Sequence, residues 1–468
     1  MQPFAKGRVE PLLAVLNAEY PGMATIVEER DKGNVDRALD ELVAYFRNRS
    51  KPVYLFDESD ISEFNEPSVI EEADRICNHE ILGHSFGDQI DWHYNATEQS
   101  TRDSEWTWSL ARHNFWIPLA RAYRLTKEEK YAIEFVDQLK SFVSAWPVEP
   151  HMSTLRANMD YPGDAWRSIE AAIRIYTAWL PAMVYFRTSP SWGSTGWVVY
   201  LTSVYEHAEF LCTHYSNHTR CSNWLTMECS ALFQMGVLFP EFLRSTEWKS
   251  LGFRRICHEV RYQFDHEGVH IERTPMYHLV AALAFFQAYR IATLNNIPVP
   301  PYMLPILERC TAFLMKLVKP DFTLPMIGDA DRISLLARKS DESPYEGMNL
   351  TTHPVDLNEI RAFFSTMAEL TGREDFIYMA SGRQSGKPPD QLCYSMPDQG
   401  YHVFRTGWQE QDSYFLVTGT QVERGSNAAH SHSDAAHLEL HAAGEDILID
   451  TGRYLYGNCG RLNWWERS

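Results

Sequence analysis

The strongest constraint on this chain is a change of hydrophobic period near residue 385. Before it, apolar residues recur every three or four positions, the spacing of a helix face; after it they alternate, the spacing of a strand. Val35, Ala38, Leu39, Leu42, Val43 and Phe46 form one helical stripe, with Asn34 expected as its cap. Phe135, Val136, Leu139, Phe142 and Val143 form another, behind Thr126-Lys127-Glu128-Glu129, which reads as a capping box. Further helices are predicted near 104–124, 165–187, 194–213, 223–243, 246–264, 277–294, 303–318 and 356–370, punctuated by Pro and Gly clusters. So many consecutive helices with short connections fit antiparallel pairs wound into a toroid or solenoid. Residues 373–399 are rich in Gly, Pro, Asp and Ser and read as a linker. Strands are expected at Tyr401–Arg405, Tyr414–Thr418, His437–His441 and Ile447–Asp450. Four strands are too few for a complete sandwich, and the ending Leu462-Asn463-Trp464-Trp465-Glu466-Arg467-Ser468 reads as a cut inside a β domain. The expectation is a mainly α unit over 1–385 followed by the start of a β domain over 386–468.

With 468 residues and 44% apolar content the chain can bury a large core. A formal charge of −19 argues against nucleic acid or an anionic membrane as partner, since either needs a broad basic surface. An anionic ligand in a locally basic cleft stays compatible with it. The 14 Trp and 23 Tyr suit either helix packing or platforms for sugar rings. Eight scattered cysteines without CxxC pairs fit a reducing compartment. The opening residues lack the apolar core of a secretory signal, and no apolar run approaches a membrane span. The expected location is therefore cytoplasmic, with a periplasmic or secreted form as the alternative.

Chemistry concentrates in three stretches. Asn223-Trp224-Leu225-Thr226-Met227-Glu228 opens a helix, where Asn223 is plainly read as an N-cap. His266 to His278 crowds Glu272, Arg273 and His278 around Tyr277, with Pro275 at a helix start. Asn427 to Gly452 carries four histidines and several carboxylates. In an extended backbone His430 and His432 share a face, and Asp450 closes a later strand. Imidazoles beside a carboxylate suit zinc as well as acid–base catalysis. His437 and His441 read as solvent-facing or supporting groups, and Asp329 and Asp331 as solvated turn residues.

The order of a helical array, NW-x-x-M-E at 223–228, H-I-E-R-T-P-M-Y-H at 270–278, G-D-A-D at 328–331 and H-S-H-S-D at 430–434 followed by L-I-D-T-G at 448–452 resembles the heparinase II/III family of polysaccharide lyases. The resemblance runs from about Asn78-His79-Glu80-Ile81-Leu82 onward. It implies an (α/α) toroid followed by an antiparallel β-sandwich, truncated in this chain, and β-elimination of a uronate-containing polysaccharide such as heparin, heparan sulfate or alginate. By the resemblance Asn223 neutralises the substrate carboxylate, and Tyr277 and His430 are catalytic. His432 and Asp450 match two ligands of a structural zinc, the third lying beyond Ser468. Arg112, His113, Asn114 and Trp166 fall where the family has polar cleft residues. His270 and Arg273 are further candidates to contact substrate or tune Tyr277. Some relatives have His directly after the Asn, where this chain has Trp224, which bears on substrate subclass. The alternatives are a glycoside hydrolase on a similar toroid, for which Asp329 and Asp331 are the tempting carboxylate pair, and a carbohydrate-binding protein without turnover. Oligomeric state is not legible.

Overall fold

The computed structural model describes residues 3–56, 67–99, 104–152, 165–216, 222–330, 357–419, 430, 432 and 436–452. Its helices are α1 (Pro3–Ala14), α2 (Ala24–Asp31), α3 (Val35–Asn48), α4 (Pro67–Cys77), α5 (Ser104–Arg112), α6 (Trp116–Thr126), α7 (Glu129–Ala145), α8 (Glu149–Met152), α9 (Ser168–Arg174), α10 (Leu180–Phe186), α11 (Ser194–Thr213), α12 (Asn223–Leu238), α13 (Ser245–Gln263), α14 (Pro275–Leu294), α15 (Met303–Leu317), α16 (Leu357–Thr371) and α17 (Glu374–Ala380). A π-helical turn, Ile175–Trp179, joins α9 to α10. A small hairpin, β1 (Glu80–Ile81) and β2 (His84–Ser85), follows α4.

Two kinds of helix build the toroid. In α12 every residue but Trp224 is buried, and α14 is almost as fully enclosed; a helix apolar on all sides belongs inside. By contrast α13 buries only a stripe of Ser245, Trp248, Gly252, Ile256, Glu259, Val260 and Gln263 and turns charge outward. It lies tight on α12 because Gly252 has no side chain: a Cβ there would stand 2.6 Å from the Phe233 backbone nitrogen. The core includes fully buried Trp116, Trp179, Trp192, Trp197 and Trp248, so these indoles serve helix packing. No helix among the described residues is long and apolar enough to cross a membrane.

Several expectations need correction. The predicted helix 104–124 is two helices, broken where His113 takes a left-handed φ of 60°. The capping box does not form: Thr126 Oγ1 donates back to Ala122 O, and Glu128 makes no side-chain cap. Asn34 likewise makes no cap bond, its amide donating to Glu29 Oε2 at 2.8 Å. The expected linker contains α17 and the first sheet strand.

Beyond α17, β3 (Cys393–Met396), β4 (Tyr401–Arg405), β5 (Tyr414–Thr418), β6 (Leu438–Ala442) and β7 (Glu445–Leu448) form one antiparallel sheet in sequential order. The last strand starts two residues earlier than expected. Ala443 and Gly444 both take positive φ, so a two-residue hairpin turn joins Ala442 directly to Glu445. The sheet's inner face clamps the helical unit. Tyr414 donates its hydroxyl to Leu317 O at 3.1 Å, Tyr401 to Arg273 O at 2.5 Å, and Arg405 Nη2 reaches Lys316 O and Val318 O at 2.6 Å each. Lys319 Nζ meets both oxygens of Asp446 at 2.9 and 2.7 Å. The outer face carries an in-register row of Phe404, Phe415, Leu440 and Leu448.

Candidate active site

The inner helices begin at one end of the toroid, and their first turns hold the polar groups. At α12 the N-cap is Ser222, not Asn223: its hydroxyl accepts from Leu225 N. Asn223 is thereby free of capping and turns its amide sideways. Its Nδ2 donates to Glu272 Oε1 at 2.9 Å and Oε2 at 2.7 Å, and its backbone N–H to Oε1 at 3.2 Å. Asn223 Oδ1 is buried and has no hydrogen-bond partner among the described residues.

The 270–278 stretch is a bracket that aims Tyr277. Thr274 Oγ1 caps α14 by accepting from Tyr277 N at 3.1 Å, and Pro275 supplies the preset φ of the first helical position. His270 Nδ1 accepts from Glu272 N at 3.3 Å, so its Nε2–H donates to Gln263 Oε1 at 3.0 Å. Gln263 Nε2 in turn donates to Ser222 O at 3.1 Å, which ties the bracket to the start of α12. His278 Nδ1 accepts from His270 N, and its Nε2–H donates to Cys310 O at 3.1 Å. Both imidazoles are buried, and burial first, aided for His270 by neighbouring imidazoles, depresses their pKa values despite Glu272 Oε2 at 3.8 Å from His270 Nδ1 and the Cys310 carbonyl on His278; His278 falls to about 3.

The third element arrives from the loop after α15. Gly328 has φ +67°, and a Cβ there would lie 2.5 Å from His430 O; only glycine lets the two backbones touch. The next residue, Asp329, donates its N–H to His430 O at 3.0 Å. Its Oδ2 then meets His430 Nδ1 at 3.0 Å and its Oδ1 meets His432 Nε2 at 2.9 Å. Asp329 is 2% exposed, which overturns its reading as a solvated turn residue. Asp331 lies outside the described residues. The Tyr277 and His430 rings stack with centroids 3.7 Å apart and planes 16° apart. Glu272 closes the ring of contacts: burial raises its pKa, while His430 and the bonds from Asn223 pull the other way. Asn223, Tyr277 and His430 therefore gather around Glu272 and Asp329. Position before a proline-started helix hinted at Glu272, but nothing in the sequence paired Asp329 with a histidine about a hundred residues on.

Of the remaining candidates, Asn114 is half-buried, lines a cavity of about 300 Å³ and accepts from Thr177 Oγ1 at 3.0 Å. Arg273 is half-buried in a left-handed conformation beside the site, its carbonyl held by Tyr401. Four others are too enclosed to contact substrate directly. Arg112 is 1% exposed and is bound by Glu170 at 2.5 Å and Glu105 at 3.2 Å. Trp166 is buried, its Nε1–H on Trp146 O and its ring on His207 and Phe210. His270 is fully buried with both nitrogens used, as above. His113 is likewise enclosed, stacked on Trp116 and accepting from Trp179 Nε1. Arg167 is a group the sequence did not flag. Its guanidinium lies over the half-buried rings of Trp108, at 3.2 Å, and Trp224, at 4.7 Å, and bonds Glu170. Burial alone would raise the Glu170 pKa, but Arg112 and Arg167 outweigh it and hold it low. Trp224 adjoins Asn223, so this stacked layer continues the site along the toroid rim.

For a metal, the described residues offer a different grouping from the expected one. His432 faces Asp329 rather than Asp450, and Asp450 Oδ2 faces His437 Nε2 at 4.0 Å. Among the described residues, the trio whose ligand atoms fall within 4.8 Å of one another is Asp321, His441 and Asp446. His441 is 1% exposed, not solvent-facing.

The sequence matches the family model described as Heparinase II/III N-terminus over residues 12–343 and that described as Heparinase II/III-like, C-terminal, over 389–468. It is 26% identical to a heparin-sulfate lyase of Pedobacter heparinus, over 97% of this chain and 65% of that protein. It is 25% identical to one of Bacteroides stercoris, over 98% and 67%. The chain thus spans about two thirds of these relatives' length. Among solved structures, a crystal structure of heparinase III superposes with a TM-score of 0.80 at 20% identity, covering 97% of this chain and 69% of that one. A heparan sulfate lyase from Pedobacter heparinus gives 0.65 at 24% identity, over 98% and 68%. These likenesses bear out the toroid followed by a β domain.

Proposed function

This chain belongs to the heparinase II/III family, and we propose that it is a polysaccharide lyase cleaving a uronate-containing anionic polysaccharide, of the heparin or heparan sulfate type, by β-elimination. The observation that carries this is the His430 ring, bonded through Nδ1 to Asp329 and stacked on Tyr277, beside an Asn223 amide held by Glu272.

β-Elimination removes the proton on C5 of the uronate and expels the oxygen at C4. Negative charge builds on the uronate carboxylate as the proton leaves, and a fixed donor aimed there stabilises the transition state most. Asn223 has a neutral amide suited to that role: one Nδ2–H shared across the two Glu272 oxygens fixes its rotamer, and the second N–H is the donor left for the uronate. Asp329 holds the proton of His430 on Nδ1, which leaves Nε2 with the lone pair a base needs. We assign His430 as the base at C5 and Tyr277 as the acid at the leaving oxygen. The Trp108–Arg167–Trp224 layer offers an aromatic wall for an adjoining sugar. The product carries a C4–C5 double bond conjugated to the carboxylate, so ultraviolet absorbance tests the reading. Turnover of heparan sulfate by this chain must raise it. Reducing ends without absorbance would make the protein a hydrolase, and binding without either a carbohydrate-binding protein.

We further propose that His432 and Asp450 form part of a structural zinc site. An imidazole and a carboxylate suit zinc, but a closed structural site takes four ligands, and the described residues do not complete it. No step above passes through a metal.

A further inference from the structure

Away from the catalytic end, a groove of about 810 Å³ runs along the outer wall between α13 and α15. Arg261, Phe264 and His266 line one side, and Tyr302, Ile306 and Arg309 the other. Arg261 and Arg309 are exposed, and neither has a carboxylate partner among the described residues. That is notable in a chain with 62 acidic and 43 basic residues. Guanidinium groups elsewhere are commonly answered, Arg49 by Glu241, Arg112 by Glu170 and Arg373 by Asp375. The Arg261 guanidinium lies 5.3 Å from the Tyr302 ring, and Tyr302 donates its hydroxyl to Cys257 O at 2.9 Å, which holds the ring in place. Asp265 is the acid in the wall, and its carboxylate is engaged by Glu267 N, Val269 N and Gln399 Nε2. Below the groove Arg254 and Arg261 share one exposed face of α13 with Tyr262, which is 55% exposed. At one end the 265–267 turn leads along the chain into His270 and Glu272, while none of the residues that hold the catalytic groups lines the groove.

We propose that this groove is a second binding site for the polysaccharide. Arg261 and Arg309 would take two anionic groups, carboxylate or sulfate, of a sugar segment remote from the scissile bond, with Tyr302 beneath a ring. Exposed cations without a carboxylate partner among the described residues gain from a polyanion because binding releases its condensed counterions. A proline and a helix frame set the groove's shape before any ligand arrives, so little ordering is required. The proposal rests on the reading of this chain as an enzyme of anionic polysaccharides, and it adds a chain-length preference to that reading.

The full chain and its Arg261→Gln/Arg309→Gln variant are assayed on polymeric heparan sulfate and on a heparan sulfate tetrasaccharide. Both are also titrated calorimetrically with a dodecasaccharide at several salt concentrations. The expected result is a KM for polymer raised roughly 5-fold, with kcat and the tetrasaccharide kinetics unchanged. The salt dependence of dodecasaccharide binding should become shallower by about two released counterions. Equal effects on polymer and tetrasaccharide, or no effect on either, overturn the groove. Should the wild type turn over no uronate polymer, the catalytic reading fails by itself and the titration alone decides. Weaker, less salt-sensitive binding in the variant then supports the groove, whereas unchanged binding, or none in the wild type, overturns it.

Discussion

Two histidine-bearing stretches of this molecule, 266–278 and 430–441, use the same side chain to opposite ends. His270 and His278 bond only to backbone groups and to the Gln263 amide. Glu272 Oε2 lies 3.8 Å from His270 Nδ1, yet burial outweighs it and depresses both pKa values, so these histidines stay neutral and act as rigid two-ended struts. His430, His432 and His441 each face a carboxylate, and those carboxylates come from the helical unit or from the next strand. An imidazole beside a carboxylate can hold or pass a proton; one bonded to carbonyls and amides can only hold a shape. Proximity to Tyr277 therefore does not decide which histidine does chemistry. His278 is one residue away in sequence and serves the frame, whereas His430 is far away and stacks on the ring.

The largest effect should come from breaking the charged partnership. Asp329→Asn removes the group that fixes the His430 proton on Nδ1, and kcat should fall by about 10³–10⁴, as when a triad aspartate is replaced by asparagine. The pH–rate profile should move with it, while the melting temperature changes little. A variant that keeps wild-type kcat would remove His430 from the role of base. Tyr277→Phe should cost about 10²–10⁴ in kcat, again without loss of stability, because the ring and its stack remain. Glu272→Gln keeps the shape beside Asn223 but weakens its grip on the amide; a fall in kcat of about 10-fold at unchanged fold is expected. Crystallography of that variant checks whether Asn223 has turned.

The neutral histidines respond to a different measurement. The folded-state pKa of His278, about 3, lies below its ordinary value near 6.5. A depressed histidine contributes stability that is complete above the unfolded pKa and is lost as pH falls through the window from 6.5 toward 3. The melting temperature should drop steadily over that range, each such imidazole adding about 1.4 kcal/mol per pH unit to the slope. His278→Gln, which keeps a hydrogen-bonding side chain, should start less stable at pH 7 and decline less steeply. Parallel declines in wild type and variant would show that His278 is not the group responsible.

These contrasts also mark how far the sequence can be read. Spacing alone gives α11 at 194–213, as observed, and places α13, α14 and α15 within two residues at each end, because a helix's apolar period is local. It also singles out Asn223, Tyr277 and His430 as candidates, each at an element start or inside a dense polar run. Partnership is not local. Arg112 and Trp166 look like cleft residues until Glu170 and His207 are found packed against them. Asp329 looks solvated until Gly328 brings it onto the His430 backbone. Arg167 gives no signal at all, since its aromatic neighbours are some sixty residues away on either side.

The smallest effect is expected at the joint between the two units. Asp321, His441 and Asp446 bring three ligand atoms within 4.8 Å, the geometry of a small cation site. Yet Lys319 Nζ already sits 2.7 Å from Asp446 and 4.0 Å from Asp321. Burial would raise the Asp446 pKa, but Lys319 and His441 outweigh it and lower it. The lysine thus supplies the positive charge that a metal would bring, and it does so from the helical unit onto β7. Lys319→Met should remove that tie and lower the melting temperature by a few degrees, with kcat on short substrates unchanged. The same variant should then respond to zinc, because a ligand that binds only the folded state raises its stability by mass action. A melting temperature that rises with zinc in Lys319→Met but not in wild type separates a joint held by an ammonium from one held by a metal. A zinc response of equal size in both proteins would mean that the cation binds elsewhere, and that His441 belongs with the struts rather than with the charge-bearing histidines.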